Sequence, residues 1–232
     1  MILSNHRILI TGAARGLGEA FARAALQAGS KVVLTDVLDE RGAALALELN
    51  AEFDGHAKYL HMDVSDSASV NLAMTAAVEW LGGLDGLVNN AAITNSGGKA
   101  MEAISEDVWD KVMAVNAKGT WLTTVAAKPH LIRASEESGL GRIVNVASDT
   151  AMWGAPNLMA YVASKGAIKP VGEVMKESAE LGMRRLHVNW HIDGKELESI
   201  RQAIEETASS GNVVIVSHAA SYALSGNSNV LR

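Results

Sequence analysis

The 232-residue chain contains no cysteine. That excludes disulfides and any metal site built on thiolates, and it suits a reducing compartment. It has no basic run, and 20 Lys and Arg against 26 Asp and Glu leave a formal charge of −6. Nucleic acid and anionic membrane surfaces are therefore not its expected partners. No apolar stretch reaches the ~20 residues that span a bilayer. The opening MILSNHRILITG is broken by polar residues from Ser4 to Arg7, too soon for a secretory leader, so a cytoplasmic protein is expected. Low-complexity segments and interdomain linkers are absent too. What is there, 48% apolar and 20% charged residues, suits a soluble chain able to bury a large core.

Short apolar runs alternate with longer amphipathic stretches. Strands are expected at RILIT (7–11), KVVLTD (31–36), AKYLHMD (57–63), LDGLVNNA (84–91), GRIVNVAS (141–148) and RLHVNW (185–190). Helices are expected near 16–28, 39–50, 66–81, 105–134 and 157–181. Apolar runs of this length between helices signal a parallel sheet covered on both faces, and right-handed crossovers then give a doubly wound α/β fold. Further on, KELESIRQAIEETA (195–208) has a helical stripe. NVVIVS (212–217) reads as a strand by β-branching, although periodicity alone also allows a buried helix segment.

TGAARGLG (11–18) closes the first strand and opens the first helix. Gly12 allows a tight turn, Gly16 leaves room for a pyrophosphate to approach the backbone, and Gly18 lets the helix pack close to the sheet. Free N–H groups and the positive helix end would face the phosphates. The competing reading is a plain tight turn. Asp36 ends the second strand, where a carboxylate can accept from both ribose hydroxyls and repel a 2′-phosphate, favouring NAD over NADP. A simple cap is the alternative there, and Arg15 keeps NADP open. Asp63, in the same layer, can hold an adenine amino group or cap the helix that starts near Asp66.

YVASK (161–165) sets Tyr161 and Lys165 on one helix face. The pair can be a solvated face or an acid–base device, and the pentapeptide does not decide.

Together with NNAA (89–92), these motifs resemble the short-chain dehydrogenase/reductase family. The glycine pattern TGxxxGxG is matched at Thr11, Gly12, Gly16 and Gly18. NNAG appears as Asn89, Asn90, Ala91 and Ala92, with alanine last. The family's structural asparagine matches Asn116, its serine Ser148, and its YxxxK Tyr161 and Lys165. The resemblance covers about residues 5 to 168. It implies a Rossmann-type sheet in one domain and a catalytic set of Asn116, Ser148, Tyr161 and Lys165. The implied cofactor site comprises Gly12, Arg15, Gly16, Leu17, Gly18, Asp36, Asp63, Val64, Asn90, Ala91 and Ala92, with Tyr161 and Lys165. In that chemistry Lys165 and a cationic nicotinamide acidify the phenol, Ser148 binds the substrate oxygen, and Asn116 holds a water near Lys165.

After Ile168 the resemblance weakens. VNWHIDG (188–194) carries Asp193 where the family has proline, and the substrate-covering segment near 190–212 looks divergent or short. SHAASYALSGNSNV (217–230) resembles the family ending, which makes 212–217 the end of a helix; that reading is preferred here over the strand.

Metal ligation is not expected: His187 and His191 are four apart on a predicted strand, and Glu136 and Glu137 read as a solvated loop. Met152, Trp153, Leu158 and Met159 are either core or the wall of an apolar pocket, and TNSGGKA (94–100) can border the same cleft. The expectation is an NAD-dependent oxidoreductase acting on an apolar or aromatic secondary alcohol or ketone, in a homotetramer or dimer. A catalytically idle dinucleotide-binding sensor or scaffold is the main alternative. A methyltransferase is a third reading that leaves YVASK unexplained.

Overall fold

A computed structural model describes residues 3–94, 99–177, 184–188 and 213–218. Its strands are β1 (Arg7–Thr11), β2 (Lys31–Asp36), β3 (Ala57–His61), β4 (Gly86–Asn89), β5 (Arg142–Ala147), β6 (Arg184–Val188) and β7 (Val213–His218). They form one sheet in the order β3-β2-β1-β4-β5-β7-β6, and every pairing is parallel. The α/β class and doubly wound form follow the sequence expectation.

Alternate residues of β1 and β2 serve opposite faces. Ile10, Val32 and Leu34 pack with Ala22 and Leu26 of α1 (Gly16–Gln27) and with Leu45 and Leu49 of α2 (Asp39–Glu52). Leu9 and Val33 join Val70, Met74 and Leu81 of α3 (Ser67–Leu81) on the other face. Leu131 of α5 (Gly119–Ser138) belongs to the same cluster. Burying both faces stabilises the sheet by roughly 1.5–3 kcal/mol for each large apolar side chain removed from water.

The helix expected over 105–134 is α4 (Glu106–Met113) followed by α5, joined through a π-helical turn at Ala114–Lys118. It runs on to Ser138, so Glu136 and Glu137 are exposed residues of its last turn and not a loop. Short α6 (Thr150–Trp153) precedes α7 (Met159–Glu177), which packs against α4, the π turn and β5.

One expectation is overturned. Residues 213–218 are a strand, not the end of a helix, and β7 lies between β5 and β6. The β-branched run Val213, Val214, Ile215 and Val216 suits an interior parallel strand, so β-branching was the better guide and the aligned family ending the worse one. The helix read at 195–208, the segment near 190–212 including Asp193 and His191, and the ending 219–232 lie outside the described residues.

Candidate active site

Strand order reverses between β1 and β4, and ligands of open α/β sheets bind at the carboxyl ends of strands flanking such a point. The glycine turn and the NNAA segment both sit there. Gly12 (φ 63°) and Gly16 (φ 62°) adopt left-handed backbone that side chains disfavour. A Cβ on Gly18 would run into the Gly12 carbonyl and come within 2.7 Å of Asn90 Nδ2, which is the close packing expected of that glycine. Thr11 Oγ1 accepts from the N–H groups of Asn90 (3.0 Å) and Ala91 (3.1 Å). Asn90 Nδ2 donates to the carbonyls of Thr11 and Gly12, both at 3.0 Å. Asn90 therefore fastens the glycine turn to β4. Ala92 follows, exposed.

This corner fits a dinucleotide. No side chain caps the start of α1, space beside Gly16 is open, and Arg15 and Leu17 are exposed at the turn. Asp36 Oδ2 accepts from Ala14 N (3.0 Å), and Oδ1 accepts from Val37 N (2.8 Å) and Leu38 N (3.2 Å). Oδ2, with a single bond, keeps lone-pair capacity for a ribose hydroxyl. Asp63 is no helix cap: Asp66 caps α3 through Ala68 N and Ser69 N, while Asp63 accepts from Ser65 N (2.9 Å) and Ser65 Oγ (2.7 Å). The Ser65 hydroxyl holds the Asp63 carboxyl below its ordinary range. The Val64 side chain is buried in the core against Gly119, leaving only its backbone for a ligand. Sequence reading missed Arg41, which donates through Nε to the Ala14 carbonyl (3.2 Å) and pairs with Glu19 (3.3 Å). Nothing in the local pattern marks a residue on α2 as a neighbour of the glycine turn.

The second cluster stands where β5 ends and α7 begins. Asn116 is fully buried, and its amide is consumed by protein. Oδ1 accepts from Ile93 N (2.8 Å), while Nδ2 donates to Ile93 O (3.0 Å) and to Ser164 Oγ (2.9 Å). The π turn brings this side chain to the loop after β4; such turns recur at functional sites. Ser164 then donates to the Tyr161 carbonyl at 2.7 Å, tying α7 into the same network. Its place inside YVASK was the available signal, overlooked because serine there also reads as helix filler.

Ser148 is buried, and its hydroxyl lies 2.8 Å from Thr150 Oγ1 and 3.5 Å from Asp149 Oδ1. It also sits beside the Tyr161 phenol and favours the phenolate there. Lys165 is buried, donates to the Val146 carbonyl at 2.7 Å, and has its Nζ 5.8 Å from the Tyr161 ring centroid. In the chain itself the Tyr161 pKa is raised; the expected acidification by Lys165 together with a cationic nicotinamide concerns the cofactor-bound enzyme. Burial is the largest influence on Tyr161 and raises its pKa; Ser148 opposes it and the Asp149 carboxylate adds to it. Burial also depresses Lys165, to about 8. Both groups are thus biased toward their neutral forms.

Met152, Trp153 and Met159 are exposed, and Leu158 is half-buried, so none is core. A cavity of about 250 Å³ opens beside Met159, two residues before Tyr161, lined also by Met101, Ile104, Ser105, Glu106 and Trp109. Of the loop 94–100, residues 95–98 lie outside the described residues. Among the described residues no three acidic or histidine side chains converge on a metal position, and no helix is long and apolar enough to cross a membrane.

The model of the short chain dehydrogenase family matches residues 6–207. A 3-alpha-(or 20-beta)-hydroxysteroid dehydrogenase of Mycobacterium bovis is 36% identical over 181 residues, 78% of this chain, and the match spans only 65% of that relative's length. A 2-(S)-hydroxypropyl-CoM dehydrogenase of Xanthobacter autotrophicus is 38% identical over 190 residues, covering 81% of this chain and 70% of the relative. Among solved structures, a 3-ketoacyl-(acyl-carrier-protein) reductase from Brucella melitensis complexed with NADH superposes with a TM-score of 0.71 at 31% identity. That match covers 80% of this chain and 74% of the other.

Proposed function

Since the chain belongs to the short chain dehydrogenase family, we propose that it is an oxidoreductase moving a hydride between NAD(H) and a secondary alcohol or ketone. The observation that carries this reading is the Tyr161 phenol beside the Ser148 hydroxyl, with the Lys165 ammonium 5.8 Å from the ring. Gly12, Arg15, Gly16, Leu17 and Gly18 would receive the pyrophosphate, Asp36 the adenosine ribose, and Asp63 with the Val64 backbone the adenine. Asn90, Ala91, Ala92, Tyr161 and Lys165 would border the nicotinamide half. When bound, the nicotinamide supplies the hydride acceptor or donor.

Ser148 holds the substrate oxygen through its hydroxyl and steadies the charge that develops there. Tyr161 takes the carbinol proton in oxidation and returns it in reduction. A phenol whose pKa burial has raised ionises reluctantly, so positive charge nearby has to favour the phenolate. Lys165 supplies part of that charge, and its freedom to give up a proton near pH 8 makes it a relay as well as a point charge. Asn116 holds the loop after β4 against α7, which keeps Tyr161 aimed at Ser148.

The exposed Met152, Trp153 and Met159 favour an apolar or aromatic substrate. Both curated relatives are named as dehydrogenases of hydroxylated compounds, which supports the alcohol class. Asp36 supports NAD(H) over NADP(H), a cysteine-free chain suits the cytoplasm, and Trp121 and Val125, exposed four apart on α5, offer a face for a homo-oligomer. The test is a screen of secondary alcohols and ketones with NAD⁺/NADH and NADP⁺/NADPH. Turnover with the non-phosphorylated pair is expected. Tight cofactor binding with no turnover of any alcohol would favour the idle sensor or scaffold, and equal use of both pairs would remove the role given to Asp36.

A further inference from the structure

We infer that Asp149 is a specificity residue whose carboxylate binds a hydrogen-bond donor, hydroxyl or ammonium, on the carbon next to the substrate's reacting carbinol. This rests on the roles proposed above for Ser148 and Tyr161. Preferred substrates are then vicinal diols or amino alcohols on an apolar frame.

Asp149 occupies the position before α6, where an aspartate ordinarily accepts amide hydrogens from the first helical turn. It makes no such bond. The turn is closed without the Asp149 carboxylate: Met152 N (2.8 Å) and Trp153 N (3.3 Å) donate to the Asp149 carbonyl, and Thr150 N donates to Ser148 Oγ (3.3 Å). The side chain is turned toward Ser148, whose Oγ stands 3.5 Å from Oδ1, a long contact for a hydroxyl donating to a carboxylate. Ser148 has a nearer partner in Thr150 Oγ1 at 2.8 Å. Among the described residues, no Lys, Arg or His forms an ion pair with Asp149.

A carboxylate offers about four acceptor sites, and this half-buried one uses a single weak one. It stands beside the hydroxyl that would hold the substrate oxygen, and its charge is felt at Tyr161. A donor one carbon from the carbinol falls within hydrogen-bond reach of such a group. The same charge rejects an anionic substituent. Met152 and Trp153, exposed on the turn that follows, provide apolar surface for the ring or chain that carries the two groups.

The test uses the whole chain with NAD⁺ and compares cyclohexanol, trans-1,2-cyclohexanediol, its monomethyl ether and trans-2-aminocyclohexanol. In wild type, kcat/KM for the diol or the amino alcohol should exceed that for cyclohexanol and for the ether by at least about tenfold. Asp149→Ala should bring the ratio to within about threefold of one, and Asp149→Asn should lose the amino alcohol's advantage more than the diol's. Dissociation constants of the same compounds from the NADH complex, read by quenching of bound NADH fluorescence, give a measure free of turnover. If no alcohol reacts, the dehydrogenase reading falls while these constants still decide the role of Asp149. Equal affinity for diol and ether in wild type would overturn the inference without any variant. So would a preference that survives both substitutions.

Discussion

The glycine corner and the catalytic edge are built from different materials. At the corner, main-chain groups and short amides do the holding: Asn90 bonds two carbonyls, Thr11 accepts two N–H groups, and Asp36 accepts three. At the edge, a half-buried phenol and a buried ammonium stand close together, each pushed by desolvation toward its neutral form. The corner is finished before any ligand arrives, whereas the edge carries unfavourable charge states that a ligand can relieve. Substitutions at the corner should therefore damage fold and cofactor binding together. Substitutions at the edge should alter rate and pH response and spare the fold.

The largest expected effect is kinetic. Tyr161→Phe removes the hydroxyl that exchanges the proton and keeps the ring, so kcat/KM for alcohol oxidation should fall by about 10²- to 10⁴-fold. The NADH dissociation constant should change little. A comparable loss of cofactor affinity would mean that the edge is as structural as the corner.

Lys165 gives the next contrast. Its ammonium is disfavoured in the folded chain, with a pKa near 8 against an ordinary 10.5. Between those values the unfolded chain binds the extra proton, so the stability contributed by this site rises as pH rises through the window. Below about pH 8 the whole cost of keeping the charge buried stands, on the order of 3 kcal/mol. The stability of wild type relative to Lys165→Met, measured by urea unfolding, should accordingly climb from pH 8 to 10.5. A flat difference would show that Lys165 is not held in a desolvated state.

Gly18→Ala probes the corner. Its methyl would collide with the Gly12 carbonyl and crowd Asn90 Nδ2 and the Ala13 Cα. Overpacking of this kind costs about 1–3 kcal/mol. Melting temperature should drop by several degrees, and NADH affinity should weaken in parallel, by calorimetry. Stability lost without loss of affinity would separate the turn from the cofactor.

The same contrast explains what was legible in the sequence. Glycines with positive φ and close packing leave a spaced motif, so the corner could be read directly, as could the alternation of strands and helices. Family motifs placed Asn116, Ser148, Tyr161 and Lys165 near one another. The charge balance among them escaped the sequence because desolvation depends on packing from several elements. Arg41 was invisible for a related reason: it acts through Ala14 and Glu19, which only the fold brings near. The strand at 213–218 shows the opposite case, in which β-branching was legible and an aligned ending drew attention away from it.

The smallest expected effect is also the sharpest test of how the edge is tuned. Three groups face the Tyr161 phenol: Ser148 from the end of β5, Asp149 from the turn before α6, and Lys165 from one turn along α7. Burial raises the phenol's pKa most, Ser148 lowers it, and the Asp149 carboxylate raises it. Asp149→Asn keeps the shape and removes the charge, so the phenolate forms more easily. The ascending, acid-side limb of kcat/KM for cyclohexanol oxidation, which reports formation of the basic phenolate, should then move to lower pH. Cyclohexanol carries no second donor, so the shift reports on Tyr161 and is independent of how Asp149 treats substituents. A limb that stays in place, or moves to higher pH, would mean that solvent or the bound nicotinamide screens Asp149 from the phenol, and that burial and Ser148 alone set the acid–base balance of the edge.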